Sequence, residues 1–429
     1  MLTRVARVRP FSLQETMVPA AGLQPQALIE IERLLLGGRR ELLGAGRAYL
    51  RWLRGPGRFA EPADMQRRFV AARLRFNDLL AQWDTFAAAI TQRSEAGTGV
   101  WLSGLDVVAA DALRLPPFFE APPVICYLDR GPGAAIRRAR TRLPGGAATP
   151  VAIVRMPRER MVGHGIGSSL VHEVGHQAAA LLDLVPSLRR ALRAQALRDP
   201  VRFRVWRMWE RWISEIVADL WAIGRIGISS TQGLVSVVSL PAYFVFRIDG
   251  TDPHPPPWVR VNLSAVLGEM LYPDPQWRRL RRVWQAYYPT RRLNASRQRD
   301  LRELRRTMPA FARLLLSHRP ASLHGGSLGE IVAARDRTPA ALRAEWLAWQ
   351  TDRRRSFDIA PSRALAVIGQ AHADRRITAA VEARLVGQLL THWALRSTLD
   401  IADICATSTR ARDFDARRGI FEQPVAAAA

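Results

Sequence analysis

The amino-acid sequence predicts an α+β fold that is predominantly helical, with a small sheet in a central core and helical regions on both sides. Two observations support this class. Apolar residues recur every three or four positions over most of the chain, which is the spacing of amphipathic helices. Two short runs of β-branched residues stand at 124–128 and 151–154, separated by a glycine- and proline-rich connection. With 429 residues of which 48% are hydrophobic, the chain is long enough to form several domains.

Residues 1–115 are predicted to form an N-terminal helical domain. Helical spacing of apolar side chains runs through 27–53 and 63–90, and the segment Gly55-Pro56-Gly57 separates the two runs. Prolines at 116–117 and 122–123 are expected to mark the exit from this domain.

Residues 116–270 are predicted to form a core that contains the two short strands. A glycine-bearing turn is expected at 163–167, with His164 as a loop residue. Ser168 or Ser169 is then placed to cap the helix that follows. A small sheet directly before this helix has an edge strand that can pair with an extended substrate.

The helix after the turn contains the motif H-E-x-x-H. His172 and His176 are four residues apart, so both imidazoles lie on one helical face and can bind a single zinc ion. Glu173 is placed to accept a proton from the water molecule that such an ion activates. The motif predicts a metal centre that still needs a third protein ligand.

A second predicted helix, at 200–223, offers that ligand. Glu215 and Asp219 are four residues apart and share a face, and Ala218 beside them lets another helix approach closely. We expect Glu215 to bind the metal, with Glu210 as the alternative ligand. Asp219 is expected to accept a hydrogen bond from the free ring nitrogen of a metal-binding histidine.

These residues resemble the gluzincin metallopeptidases, in which a helix bearing E-x-x-A-D follows H-E-x-x-H. Residues 215–219 read Glu-Ile-Val-Ala-Asp, and His254-Pro-Pro-Pro-Trp-Val-Arg260 is similar to a third motif of the branch that contains the CAAX prenyl proteases and heat-shock membrane proteases. The resemblance covers about residues 150–262 and implies a zincin-like catalytic core. The chain departs from that branch because it lacks several clear membrane spans.

The resemblance also implies roles for individual residues. His172, His176 and Glu215 would bind Zn²⁺, Glu173 would be the general base, and Asp219 would support a ligand. His254 would donate a hydrogen bond to the oxyanion formed when water attacks a peptide carbonyl, and Arg260 would order this loop or the substrate. The alternative for His254 is a cap on a proline-rich turn, and a structural role is expected for His318, His324, His372 and His392. The predicted function is a zinc metalloendopeptidase that hydrolyses protein or peptide substrates.

Residues 271–429 are predicted to form a C-terminal arginine-rich helical domain. The net charge is +25, and all 63 basic residues of the chain are arginine. Eleven arginines stand within 278–306, which indicates either a solvated surface or a site for an anionic partner such as nucleic acid, an acidic protein or a membrane surface. The alternative function is therefore a non-catalytic binding or assembly protein on a metallopeptidase fold.

The segment 226–246 is free of charged residues and long enough to be compared with a membrane span. Its serines, Thr231 and Pro241 favour a helix buried in the core. Residues 1–10 lack the apolar run of a secretory signal. We therefore expect a cytoplasmic protein, with peripheral association with a membrane as the alternative.

Overall fold

The structure is a computed structural model that describes residues 2–6, 9–13, 15–131, 133–158, 162–352 and 354–421. It is predominantly helical with one small sheet, so the predicted α+β class is confirmed. The helices that precede the sheet are α1 (Leu2–Ala6), α2 (Pro25–Arg54), α3 (Pro62–Ile90) and α4 (Ala96–Leu113). The long apolar repeats at 27–53 and 63–90 thus correspond to α2 and α3.

The sheet has three strands: β1 (Val124–Asp129), β2 (Ala135–Arg137) and β3 (Ala152–Pro157). Their order is β1-β3-β2, with β1 parallel and β2 antiparallel to β3. The predicted strands correspond to β1 and β3. The edge strand β2 was not predicted, because it is three residues long and lies in the glycine- and proline-rich connection.

Helices make up most of the described chain after the sheet. The helices that follow the sheet in the central part are α5 (Gly163–Leu181), α6 (Leu184–Arg198), α7 (Phe203–Ile226), α8 (Ile228–Val238), α9 (Ala242–Val245) and α10 (Pro257–Leu271). The last part contains α11 (Pro275–Tyr287), α12 (Ala295–Ser317), α13 (Leu328–Val332), α14 (Pro339–Thr351), α15 (Arg355–Asp358), α16 (Pro361–Ala373) and α17 (Ala379–Phe421).

Helix α5 begins five residues earlier than predicted. The expected turn at 163–167 is its first turn, so His164 lies in a helix and the loop assignment is wrong. Ser168 does not cap the helix; its hydroxyl donates to the carbonyl of Ser230 at 3.1 Å. The glycines that suggested a turn serve close packing instead, since a Cβ on Gly167 would stand 3.3 Å from a methyl group of Leu365.

Helices α5 and α7 approach each other closely at two small residues. A Cβ on Gly175 would stand 2.8 Å from the Cα of Ala218, a distance that real Cβ atoms do not adopt. The expectation that Ala218 permits a close helix contact therefore agrees with the packing. This contact brings the H-E-x-x-H face of α5 against the Glu215 face of α7.

One apolar core extends from Leu102 on α4 to Trp393 on α17 and includes side chains of the sheet and of α5 to α14. A second cluster packs α2 and α3 against the sheet through Ile31, Phe86, Ile125 and Ile153. Because the first core crosses residues 115 and 270, it ties the central helices to both flanks. The division into domains at 1–115, 116–270 and 271–429 stays a prediction.

The uncharged segment 226–246 contains α8 and α9 rather than one long helix. Gly227, with a φ of +58°, separates α8 from α7, and residues 228–231 are buried. Among the helices of the described residues, none combines the length and apolar character needed to cross a bilayer. The prediction of a helix buried in the core matches α8.

The arginines of 278–306 lie on α11, on α12 and in the connection between them. All eleven are exposed except Arg281 and Arg297, which are half-buried. Asp300 and Glu303, the acidic residues of this stretch, pair with Arg204 and Arg202 of the α7 region. Binding of an anionic partner to this surface stays a prediction.

Candidate metal centre

The structure brings the three predicted zinc ligands together between α5 and α7. One ligand atom from each of His172, His176 and Glu215 lies within 4.8 Å of the others. The Nε2 atoms of His172 and His176 stand 3.3 Å and 3.5 Å from the two carboxylate oxygens of Glu215. We call these residues the α5–α7 cluster. Two imidazoles and a carboxylate form a donor set that can hold a metal ion, and zinc binds such sets.

The ring nitrogens that face away from Glu215 have partners of their own. The Nδ1 of His172 is 2.9 Å from a carboxylate oxygen of Asp219, as the sequence predicted. The Nδ1 of His176 is 3.4 Å from the hydroxyl of Ser214, a contact that the sequence analysis missed. Such contacts fix the orientation and tautomer of a ligating ring, which leaves Nε2 for a metal.

Arg260 lies in the first turn of α10 and contacts Asp219. Its expected role in ordering the loop or the substrate stays a prediction. Its Nε and Nη2 donate to the two oxygens of Asp219 at 2.7 Å and 2.9 Å. Burial opposes ionisation of Asp219, but the charge and hydrogen bonds of Arg260 outweigh it and lower the pKa of this carboxyl to about 2. The paired carboxylate is therefore a fixed, ionised acceptor for His172.

His172 lies between two carboxylates. Burial acts to lower the pKa of its ring, yet the hydrogen bonds to Asp219 and Glu215 prevail and raise the pKa to about 9. Burial also disfavours the charged form of Glu215, but the hydrogen bonds from His172, His176 and His254 hold the pKa of this carboxyl well below its usual range. The cluster thus stabilises positive charge at the position that a cation would take.

Glu173 shares a cavity with the side chains of the α5–α7 cluster. The cavity measures about 320 Å³, and its lining consists of His172, Glu173, His176, Ser214, Glu215 and His254 together with residues 134–136 and Arg138. Glu173 is 8% exposed, so its carboxylate is largely shielded from bulk water. The edge strand β2 therefore borders the space in front of the cluster.

His254 reaches the same cavity from the segment that precedes α10. Its Nε2 is 3.2 Å from a carboxylate oxygen of Glu215, and its Nδ1 is 2.7 Å from Asp252. The hydrogen bond to Glu215 raises the pKa of the His254 ring, against the opposing effect of burial. The side chain is half exposed and contacts a metal-binding carboxylate. His254 therefore contacts the α5–α7 cluster as well as a residue of its own turn.

Other candidates of the sequence analysis lie elsewhere. Glu210 pairs with Arg193 at 2.6 Å and with Arg207, and it is not part of the cluster. His318 contacts Ser187, His324 stacks on Phe118, and His392 packs on Phe357. His164 and His372 instead join Glu382 in a second group that can hold a metal ion. The sequence analysis missed this group because its members are far apart along the chain.

A scan against family profiles finds no family that matches this chain, and searches of curated proteins and of solved structures find no similar protein. The function is therefore inferred from the residues of the site.

Proposed function

We propose that this protein is a zinc-dependent metalloendopeptidase with a gluzincin-type site in a zincin-like core. The observation that carries the proposal is the convergence of His172, His176 and Glu215 with Glu173 on one cavity beside a sheet edge. Two histidines and one glutamate, with an open position for water, form the ligand set of catalytic zinc sites.

A bound zinc ion supplies a Lewis acid that polarises the scissile carbonyl and lowers the pKa of water. Glu173 accepts the proton of the attacking water and delivers it to the leaving amine. His254 donates a hydrogen bond from its Nε2 to the oxyanion, since this atom already points to the cavity at Glu215. Asp219, fixed by Arg260, keeps the proton of His172 on Nδ1.

The substrate in this proposal is an extended peptide that lies along β2. The backbone groups of an edge strand can pair with an extended chain, which positions its carbonyl groups without reading its sequence. Ala134 and Ala135 line the cavity with small side chains, so a peptide backbone has room to approach the cluster. Glu173 and His254 face the same space.

The test compares the wild type with Glu173→Gln on a library of unstructured peptides, with products read by mass spectrometry. We expect the wild type to cleave, and the variant to lose about 10²–10⁴-fold in kcat/KM because it lacks the base. Its zinc content should remain that of the wild type, since Glu173 is not a ligand. Glu210→Gln is the matched control: it alters a buried glutamate outside the cluster, and activity should stay within a few-fold of the wild type.

Absent turnover in both the wild type and Glu173→Gln would contradict the peptidase proposal. It would favour the alternative, a binding or assembly protein whose exposed arginines at 278–306 hold an anionic partner. Nucleic acid as that partner predicts a steep loss of affinity with salt, because phosphate contacts release counterions.

A further inference from the structure

A second group of metal-type ligands lies at the opposite end of α5 from His176. His164 is in the first turn of α5, His372 is in the last turn of α16, and Glu382 is in the first turn of α17. One ligand atom from each lies within 4.8 Å of the others. We propose that these three residues, the α5–α17 cluster, form a second site for a divalent transition-metal ion.

The carboxylate of Glu382 is the centre of the cluster. One of its oxygens, Oε2, is 3.1 Å from the Nδ1 of His164 and 2.7 Å from the Nδ1 of His372. The Glu382 side chain is 2% exposed, whereas each histidine side chain is 23% exposed. A buried carboxylate needs a positive partner, and a cation held by the same two rings supplies it.

The short approach between His372 and Glu382 is not a good hydrogen bond. The Nδ1 of His372 is buried, and within the described chain it has no hydrogen-bond partner of acceptable geometry, although the carboxylate oxygen is 2.7 Å away. A nitrogen lone pair that is buried and unused is costly. Coordination of an ion would use this lone pair, and it would also separate the crowded ligand atoms around a common centre.

Gln232 offers an oxygen atom without a hydrogen-bond partner among the described residues, and it lines the same cavities as two members of the cluster. Gln232 lines one cavity together with His164 and an adjoining cavity together with His372. Its Oε1 is buried and has no hydrogen-bond partner among the described residues. This amide oxygen is the candidate fourth ligand, which would bring the site to the four-coordinate geometry that zinc adopts.

The backbone of α5 makes room for the carboxylate. Gly163 has a φ of +47°, and a Cβ at this position would stand 3.0 Å from the Oε2 of Glu382. A side chain here would be strained and would crowd the cluster, so glycine permits Glu382 to reach the start of α5.

The second site is separate from the α5–α7 cluster. His164 and His172 are eight residues apart on one helix, which places them about 12 Å apart along its axis. The two ions of a binuclear catalytic centre lie roughly 3.5–4 Å apart. The second ion would therefore not share a substrate with the first; it would fasten the helix that carries H-E-x-x-H to α16 and α17.

The chemistry of the donors limits the choice of ion. Two imidazole nitrogens and a carboxylate suit zinc, cobalt, nickel or copper, whereas magnesium and calcium prefer sets made of oxygen. The metal-free alternative is a hydrogen-bonded His-Glu-His group, and the experiment must separate the two.

The experiment measures metal stoichiometry in the full-length chain. The double variant His172→Ala/His176→Ala removes two ligands of the first cluster, so any tightly bound zinc must lie elsewhere. After chelation and dialysis against equimolar zinc, we expect one equivalent in this variant by mass spectrometry of the metal, and none when Glu382→Gln is added. His392→Ala, a histidine outside both clusters, is the control and should retain the equivalent.

Replacing zinc by cobalt gives a second measurement, because a cobalt ion of low coordination number bound by nitrogen ligands absorbs visible light. Glu382→Gln should abolish these absorption bands. Zinc should also raise the Tm of the double variant by a few degrees, and this rise should vanish with Glu382→Gln. A folded double variant that binds no zinc would overturn the second site and leave the first untouched.

The same comparison in the otherwise wild-type chain does not depend on the double variant. Zinc content should fall from two equivalents to one in Glu382→Gln, and an unchanged content would overturn the second site. Failure of the first site gives a different result. One equivalent of zinc in the wild type and none in Glu382→Gln would contradict the proposed function but support the second site.

Discussion

The two histidine clusters on α5 have the same composition and differ in what surrounds them. In the α5–α7 cluster, each histidine nitrogen that faces away from Glu215 contacts a supporting group, Asp219 or Ser214. In the α5–α17 cluster, the Nδ1 of His372 faces the carboxylate of Glu382 at 2.7 Å but makes no hydrogen bond of good geometry among the described residues. Equal donor sets therefore do not imply equal roles.

The first cluster also faces a cavity that contains Glu173, and β2 borders that cavity. The second cluster connects helices that are distant in sequence, and its carboxylate is almost fully buried. Under the two proposals, the first site supports catalysis and the second stabilises the packing of α5 against α16 and α17.

The largest difference is expected between Glu215→Gln and Glu382→Gln. Glu215→Gln removes the charged ligand of the first cluster and should lower kcat/KM by at least about 10³-fold. Glu382→Gln should cost less in kcat/KM but should lower the Tm, because it weakens the connection between α5 and α17. Peptide cleavage and thermal denaturation measure the two effects. Equal losses of activity in both variants would contradict the proposal that only the first cluster takes part in catalysis.

His254→Gln tests the hydrogen bond to the oxyanion. We expect kcat/KM to fall by about 10²–10³-fold, because one donor at the developing charge is lost. Zinc content should not change, so activity and metal analysis are measured on the same preparation. The control is His392→Gln, which alters a histidine outside both clusters. A zinc content that falls with activity would show that His254 is a ligand instead.

Asp219→Asn tests the support of His172. The variant keeps the shape of the side chain but removes its charge, and zinc affinity should fall by about 10–100-fold. Ser214→Ala should have a smaller effect, since the 3.4 Å contact to His176 involves a neutral hydroxyl. Competition with a chromogenic chelator measures both affinities. Asp300→Asn, which breaks the pair with Arg204, is the control, and a similar loss there would refute a specific role for Asp219.

The metal-free protein should lose stability as the pH rises. Folding raises the pKa of His172 from 6.5 to about 9. The stabilisation that protonated His172 gives the folded state is therefore complete below pH 6.5 and is lost as the pH passes 9. The free energy of unfolding in the presence of a chelator should fall by about 1–3 kcal/mol across this window. Urea denaturation at several pH values measures it. His172→Gln should show a smaller fall, because His254, whose pKa is also raised in the folded state, still contributes, and a wild type whose stability rises with pH would contradict the assignment.

The α5–α7 cluster could be predicted from the sequence because its spacing is local. His172 and His176 are four residues apart, and Glu215 and Asp219 repeat that spacing on another helix. Residues at this spacing lie on one face of a helix. The helices α2, α3 and α7 could be predicted for the same reason, because their apolar residues recur at helical spacing.

Other features depend on contacts that the sequence does not encode locally. The strand β2 is too short to produce an alternating pattern, and the glycines of 163–167 suggested a turn although they serve helix packing. The sequence did not predict that Arg260 pairs with Asp219, because this contact joins α10 to α7 across 41 residues of the chain. The α5–α17 cluster requires the fold to bring residues 164, 372 and 382 together.

Diffraction data collected on both sides of the zinc absorption edge would test the central claim most directly. The account predicts an anomalous peak about 2.0–2.2 Å from the Nε2 atoms of His172 and His176 and from the Glu215 carboxylate. Crystals grown with more than two equivalents of zinc that show no peak there, and instead retain the direct contact of His172 with Glu215, would contradict it.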